Sequence, residues 1–493
     1  MAIRMAEVEM MNNPGERVIV LSNRAPSSRS ASGLVTALEP LLEAYSGTWV
    51  AHGAESAALC SVGGRDEPDV PPANRTYRVR HVPLPDDEYQ GYYFGFANEG
   101  LWPLCHAVEV TPVFRRRDYE MYRAANTRFA MAVSAEAAGG SPVVLVQDYH
   151  FALAPRMLRQ RSPHSSIVAF WHIPWPHVRR FRNCPWAAAL LDGLLGSDIV
   201  GLQTDDDCRN FLGCVEALLP AEVDICDGTV RYRGRVTAVR AYPVGVNCDH
   251  DALRLAPPPA ASRAQVCHHL GLPIDARLGI GVDRMDYTKG INEKFLAIER
   301  LLELRPGLAG KFAFVQIAEP SRDGIAAYRD ARREVRETRD RINARFGGTG
   351  CMPIRLLEEH HEAVDVYRYY RAADFCYVNS LQDGMNLVAK EFVSARGDQG
   401  GVLVLSECAG AARQLRSALQ VNPRQIDRSA ATLAQALNMP TIEQALRMRL
   451  MRDNVSAFDA SWWANQMVSD AINQSAVHAR YAAAEEAAVS AVA

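Results

Sequence analysis

The run RVIVLSN (17–23) has the composition of a buried strand, and Leu34, Leu38, Leu41, Leu42 and Tyr45 follow it at helical spacing. The β part of that reading repeats in SPVVLVQ (141–147), SSIVAFW (165–171), SDIVGLQ (197–203) and TAVRAYP (237–243). Short β-branched runs separated by amphipathic stretches predict parallel sheets with crossover helices. The alternation restarts after APPPAAS (256–262), whose Pro/Ala content reads as a linker. Beyond it lie RLGIGVD (277–283), KFAFVQIA (311–318), DFCYVNS (374–380) and GVLVLSE (401–407). The charged stretch from Ile325 to Phe346 predicts a surface helix. Two α/β halves joined by a linker imply a cleft, with ligands at the carboxyl ends of strands.

Composition narrows the classes. The chain has 493 residues, 48% apolar and 23% charged, which excludes a disordered chain. A net charge of -3 gives no global positive field for nucleic acid. No apolar run reaches the ~18 residues of a membrane span. The first residues, MAIRMAEVEMMNNPGER, hold no continuous apolar signal region. The 11 cysteines form no CxxC pair, and the expectation is reduced thiols in the cytoplasm.

Two motifs carry chemistry. In VDRMDYTKG (282–290), Arg284 and Lys289 emerge at the end of a strand and Gly290 leads into a helix. Side-chain charge beside helix N-terminal amides makes an anion site. In DGMNLVAKE (383–391) a turn holds Asp383, a helix opens near Leu387, and Glu391 lies one turn in. Both carboxylates can accept sugar hydroxyls, with the amides around Met385–Leu387 facing a phosphate. Either carboxylate alone reads better as structural, as a helix cap, than as a ligand contact. With the cationic pair in the same half, they suggest a sugar nucleotide.

Three near-misses are set aside. GIGVDR (279–284) has Arg284 where a dinucleotide fingerprint needs its third glycine. Asp205, Asp206 and Asp207 open a helix, so capping accounts for them better than metal binding. Cys267, His268 and His269 lack a second ligand pair and read as surface.

The chain resembles the trehalose-6-phosphate synthase family of retaining glucosyltransferases. The resemblance rests on SNR (22–24), LWP (101–103), DYH (148–150), HIPWP with its leading Trp (171–176), YPVGV (242–246), DRMDYTKG, PSR (320–322), RIN (341–343), DGMNLVAKE and VNP (421–423). It implies an α/β fold of two Rossmann-like domains with parallel sheets facing across a cleft, the GT-B type. The expected organisation is an extension at 1–16, an acceptor domain at 17–255 and a nucleotide-sugar domain at 256–456. A helix at 457–481 would cross back to the first domain, ahead of an Ala-rich tail at 482–493.

The implied reaction moves glucose from UDP-glucose, or another nucleoside diphosphate glucose, to glucose 6-phosphate with retention. These are substrates; no cofactor and no metal are implied. Donor diphosphate contacts fall on Arg284 and Lys289, and donor sugar contacts on Asp383 and His172. Glu391 would take the ribose, and the amides of Met385, Asn386, Leu387 and Val388 the nucleotide. A loop at Ser32 and Gly33 would close over the diphosphate. Acceptor contacts fall on Arg24, Tyr93, Trp102 and Arg322, with Asp148 on the acceptor hydroxyls. Nucleic-acid and membrane partners are not expected, and oligomeric state stays open.

The chain departs from the family pattern at four places. Ser32 replaces the first of two loop glycines, Gln147 stands where a His precedes DYH, Gln382 replaces an Arg before DGMN, and His361 occupies an apolar or aromatic position. Two other readings remain: a glucosylglycerol-phosphate synthase, with a smaller acceptor, and a catalytically silent regulatory relative. Arg322, Tyr93 and Trp102 favour glucose 6-phosphate over the former, and Arg284 with Lys289 speak against the latter. Uridine and guanosine donors are not distinguished.

Overall fold

A computed structural model describes residues 17–26, 33–53, 76–347 and 351–474. Ser32, the segment 1–16 and the tail 482–493 lie outside them. The chain divides into two compact units, one of Met1–Cys105, Thr111–Tyr242 and Ser461–Ala493, the other of His106–Val110 and Pro243–Ala460.

The first unit is built on strands β1 (Val18–Arg24), β2 (Thr48–His52), β3 (Arg78–Val82), β4 (Val143–Gln147), β5 (Ser166–Phe170), β6 (Ile199–Leu202), β7 (Glu222–Asp224), β8 (Thr229–Tyr232) and β9 (Arg235–Ala241). They form one sheet in the order β3-β2-β1-β4-β5-β6-β9-β8-β7. From β3 to β9 every pairing is parallel. The central strands are buried on both faces, so they read as unbroken apolar runs in sequence.

The expectation of purely parallel sheet is corrected at one edge, where β7, β8 and β9 pair antiparallel. Arg233 and Gly234, between β8 and β9, have φ of 50° and 74°. Two consecutive positive φ values make the tight hairpin turn whose twist matches antiparallel strands. Residues 460–474 are helical. In this unit Trp463 packs edge-to-face on Phe170 at 5.1 Å, and Asp470 accepts the Tyr242 hydroxyl at 2.7 Å.

The second unit carries β10 (Arg277–Arg284), β11 (Phe312–Glu319), β12 (Ile354–Leu357), β13 (Phe375–Val378), β14 (Val402–Ser406) and β15 (Leu419–Val421), in the order β12-β11-β10-β13-β14-β15. All five pairings are parallel. Both units therefore contain the doubly wound 3-2-1-4-5-6 order of a Rossmann-like domain. Each has its topological switch point, β1/β4 in one and β10/β13 in the other.

The charged helix is present as Ala326–Phe346, with Tyr328, Val335, Thr338 and Ile342 as its buried stripe. The stretch 256–262 is corrected: it is not a free linker. Pro259 opens the helix Pro259–Leu270, as its fixed φ and missing N–H favour, and the Pro257 carbonyl accepts from Ser262 and Arg371. Among the described residues no helix is long and apolar enough to cross a membrane.

Candidate active site

In the first unit the residues of interest sit at the carboxyl ends of β1, β4 and β5. Arg24 is the last residue of β1, and its Nη2 donates to the Tyr93 hydroxyl at 3.3 Å. Ser22, behind it, donates to the Arg24 carbonyl at 2.7 Å and accepts the Trp49 indole N–H at 2.8 Å. Asn23 accepts the Tyr92 hydroxyl at 2.9 Å. The strand end is thus held rigidly from two sides.

Tyr93 and Trp102 are placed by a helix with π geometry, Gln90–Leu101, which runs directly into the helix Trp102–His106. Such i→i+5 geometry is rare and gathers at functional sites. Tyr93 is stacked between Tyr89, at 5.1 Å and 9°, and His150, at 5.6 Å and 10°. Trp102 lies 5.8 Å from the ring of Tyr149, whose hydroxyl donates to Asn98 at 2.8 Å. Together these rings make a wall with little freedom to move.

Asp148 follows β4 with φ of 78°, a strained value for a residue that is not glycine. The conformation lets its Oδ1 accept from the backbone N–H of Tyr149 at 2.9 Å and of His172 at 3.2 Å. The strain therefore joins the end of β4 to the segment after β5. The His172 ring meets the Gln147 side-chain carbonyl at 2.9 Å. Burial lowers its pKa to about 3, so the imidazole is neutral near pH 7.

In the second unit the loops after β10 and β13 are tied at the switch point, where Leu381 donates its N–H to the Thr288 carbonyl at 2.8 Å. Gly290 has φ of 59°, and a Cβ there would lie 2.3 Å from the Asn379 carbonyl oxygen. Only glycine allows that approach.

Asp286 is the organiser that sequence reading missed. Its Oδ1 accepts from the N–H and hydroxyl of Thr288 at 3.0 and 2.9 Å, which shapes the turn Tyr287–Lys289. Its Oδ2 lies 3.6 Å from Arg284 and 3.9 Å from Arg322, and accepts the Tyr328 hydroxyl at 3.2 Å. Burial alone would raise the carboxyl's pKa, but Arg284, Arg322 and Lys289 together hold it below its ordinary value. Arg322 itself has φ of 54° and donates to the Tyr328 hydroxyl at 2.5 Å. The available signal was an acid between Arg284 and Lys289 in the same motif.

Lys289 donates to Asp383 Oδ2 at 2.6 Å. The same oxygen accepts from Ser380 and from Asn386, both at 3.1 Å. Burial pushes the Asp383 pKa up, and Lys289, foremost among its neighbours, brings it below the usual carboxylate range. Asn386 caps the helix Leu387–Ala395, its Oδ1 accepting from Ala389 N–H at 3.2 Å. The remaining amides of the first turn, including those of Leu387 and Val388, form the anion-attracting end of this helix. The buried Met385 is pinned through its carbonyl, which accepts from Ala411 N–H at 2.8 Å. Glu391 lies apart from this cluster: it accepts the Tyr370 hydroxyl at 3.1 Å, and burial raises its pKa.

The structure thus joins Arg24 with Tyr93, Asp148 with His172, Arg284 with Arg322 through Asp286, and Lys289 with Asp383 and Asn386. Gly33 is the first residue of the helix Gly33–Ala44. Of the near-misses, Asp207 accepts from the Thr204 hydroxyl and from Trp175 N–H at the start of the helix Asp205–Leu218. Cys267 is corrected: it is buried, and only His268 and His269 of that trio face solvent.

Paired doubly wound domains with cationic and acidic groups at their switch points define an enzyme of the GT-B glycosyltransferase class. The chain belongs to glycosyltransferase family 20, whose profile matches residues 9–473. It is 37% identical over 482 residues to the trehalose-6-phosphate synthase of Mycobacterium avium (strain 104), covering 93% of this chain and 95% of that protein. Among solved structures, trehalose-6-phosphate from E. coli bound with UDP-2-fluoro glucose superimposes with a TM-score of 0.83 at 32% identity, covering 92% of this chain and 99% of that one. An α,α-trehalose-phosphate synthase (UDP-forming) from Burkholderia xenovorans, in complex with glucose-6-phosphate, gives 0.81 at 32% identity, with 92% and 100% covered.

Proposed function

We propose that the chain is a retaining α,α-trehalose-phosphate synthase, transferring glucose from UDP-glucose to glucose 6-phosphate. The observation that carries the reading is the cluster around Asp286. Three cations, Arg284, Arg322 and Lys289, stand against two buried carboxylates, Asp286 and Asp383. The surplus of positive charge fits two phosphate-bearing substrates, a nucleoside diphosphate sugar and a sugar phosphate.

In this reading Arg284 and Lys289 bind the diphosphate and stabilise it as the glycosidic bond breaks. The task falls to side-chain cations and the helix start at Leu387, not to a metal ion. Asp383 and His172 hold the donor glucose, the amides from Met385 to Val388 the nucleotide, and Glu391 the ribose. Arg24, Tyr93, Trp102 and Arg322 bind the sugar phosphate, and Asp148 orients its hydroxyls. Retention follows from attack on the same face the diphosphate leaves, with the departing phosphate oxygen taking the acceptor's proton. Arg24 and Asp148 belong to one unit and Arg284 and Lys289 to the other.

The ten described cysteines are all free thiols, which fits a cytoplasmic enzyme. The test is incubation with UDP-glucose or GDP-glucose and a panel of acceptor phosphates, following nucleoside diphosphate release. Release that depends on glucose 6-phosphate supports the reading. Release that depends on glycerol 3-phosphate replaces it with the glucosylglycerol-phosphate synthase, and no release with any acceptor leaves a silent relative.

A further inference from the structure

Gln147 is the last residue of β4, level with Phe170 of the neighbouring strand and 1% exposed. Its Oε1 is 2.9 Å from His172 Nε2, while its Nε2 is buried without a hydrogen-bond partner among the described residues. An amide in such a place costs stability, because one buried donor goes unsatisfied and an aliphatic side chain of similar size would avoid that cost. Packing therefore does not explain the residue. Its one hydrogen bond, to His172, does.

We propose that Gln147 is a positioning residue for glucosyl transfer, holding the His172 imidazole in one orientation and one tautomer through a bond that does not titrate. The proposal rests on the reading of His172 as a donor-sugar contact. The backbone of His172 is fixed separately, by Asp148 Oδ1 at its N–H and by Gln203 Nε2 at its carbonyl, at 3.2 and 3.3 Å. The ring lies edge-on to Phe170 at 4.6 Å and tilted to Trp463 at 5.9 Å, and neither can set a tautomer. Gln147 alone of these neighbours meets a ring nitrogen. With Nε2–H committed to the Gln147 carbonyl, Nδ1 keeps its lone pair as an acceptor for a sugar hydroxyl. Asp148, the charged neighbour, is engaged with the His172 main chain and not its ring. Burial keeps the imidazole neutral. Gln147 thus supplies the orienting partner that a carboxylate provides elsewhere, without a charge that would favour imidazolium.

The test uses Gln147→Leu and Gln147→His in the full chain. Gln147→Leu should lower kcat about tenfold or more, with KM for glucose 6-phosphate within about twofold of wild type. Its melting temperature should stay close to that of wild type, since an unsatisfied amide is removed while the His172 Nε2–H loses its acceptor. Gln147→His supplies an acceptor nitrogen again, but a titratable one. It should recover activity at alkaline pH and lose it on an acid limb that wild type lacks. Two-bond proton–nitrogen spectra of the His172 ring, assigned with His172→Gln, should give the Nε2–H tautomer in wild type and a mixture in Gln147→Leu. Wild-type kcat in Gln147→Leu, or the same tautomer in both proteins, overturns the proposal. A wild-type chain that transfers no glucose overturns the functional reading instead, and the ring spectra then decide the positioning of His172 by themselves.

Discussion

Lys289 Nζ and Asp383 Oδ2, from the loops after neighbouring strands β10 and β13, are joined at 2.6 Å. Both side chains are largely buried. The two residues assigned to opposite ends of the donor glucosyl–phosphate bond are therefore one electrostatic unit before substrate arrives. In the proposed reading a diphosphate entering this site competes with Asp383 for the ammonium, and the ion pair keeps Lys289 oriented until it does.

Lys289→Ala should lower turnover by about two to three orders of magnitude, through loss of charge at the leaving group. It should also destabilise the fold by about 3 kcal/mol, because Asp383 is left buried without its cation. Adding Asp383→Asn should restore most of that stability and none of the activity. Thermal melts and steady-state rates of the three proteins check this.

The same pair gives a pH dependence. The Asp383 carboxyl titrates lower in the folded chain than in the unfolded one, so on acidification the unfolded chain takes up protons first. Its contribution to stability is fully present above the ordinary carboxylate pKa of about 3.9 and is lost as pH falls through the folded value. Asp286 behaves with the same sign. Denaturant melts from neutral to acid pH should show wild type losing stability faster than Lys289→Ala/Asp383→Asn in that acid window.

Arg322 and Asp286 separate the two substrates. Arg322→Ala should raise KM for glucose 6-phosphate by about tenfold or more, with little change in KM for the nucleotide sugar. Asp286→Asn keeps the oxygen that accepts from Thr288 but removes the charge near both Arg284 and Arg322. It should raise both constants. Equal effects of Arg322→Ala on both substrates would remove Arg322 from the acceptor site.

Sequence alone made the central strands legible, because strands buried on both faces are unbroken apolar runs. It missed β2 and β3, TWVAH and RVRHV, whose polar residues break such a run. It missed the hairpin at Arg233–Gly234, where the signal is two positive φ values. The π geometry of Gln90–Leu101 has no periodicity to find. Within the site, Arg284, Lys289 and Asp383 stood out because charged residues beside Gly290 and Gly384 mark the loops at a switch point. Asp286 did not, because its role is to hold other side chains, and that depends on Arg322 and Tyr328 arriving from elsewhere in the chain. Gln147 was visible only as an unusual neighbour of Asp148 until its contact with His172 gave it a physical role.

Activity should survive chelation by EDTA. In the proposed mechanism Arg284, Lys289 and the helix start at Leu387 supply the positive charge that diphosphate departure requires. Loss of turnover on chelation, with recovery on adding Mg²⁺ or Mn²⁺, would mean that these groups do not suffice.

The most direct measurement of the central claim is the structure of the product. The purified chain is incubated with UDP-glucose and glucose 6-phosphate, and the phosphorylated product is examined by proton NMR at its anomeric centres. Retaining transfer predicts a disaccharide phosphate with both anomeric carbons in the α configuration, formed one for one with UDP. A β-configured donor residue, free glucose in place of disaccharide, or transfer to glycerol 3-phosphate in preference to glucose 6-phosphate would contradict it.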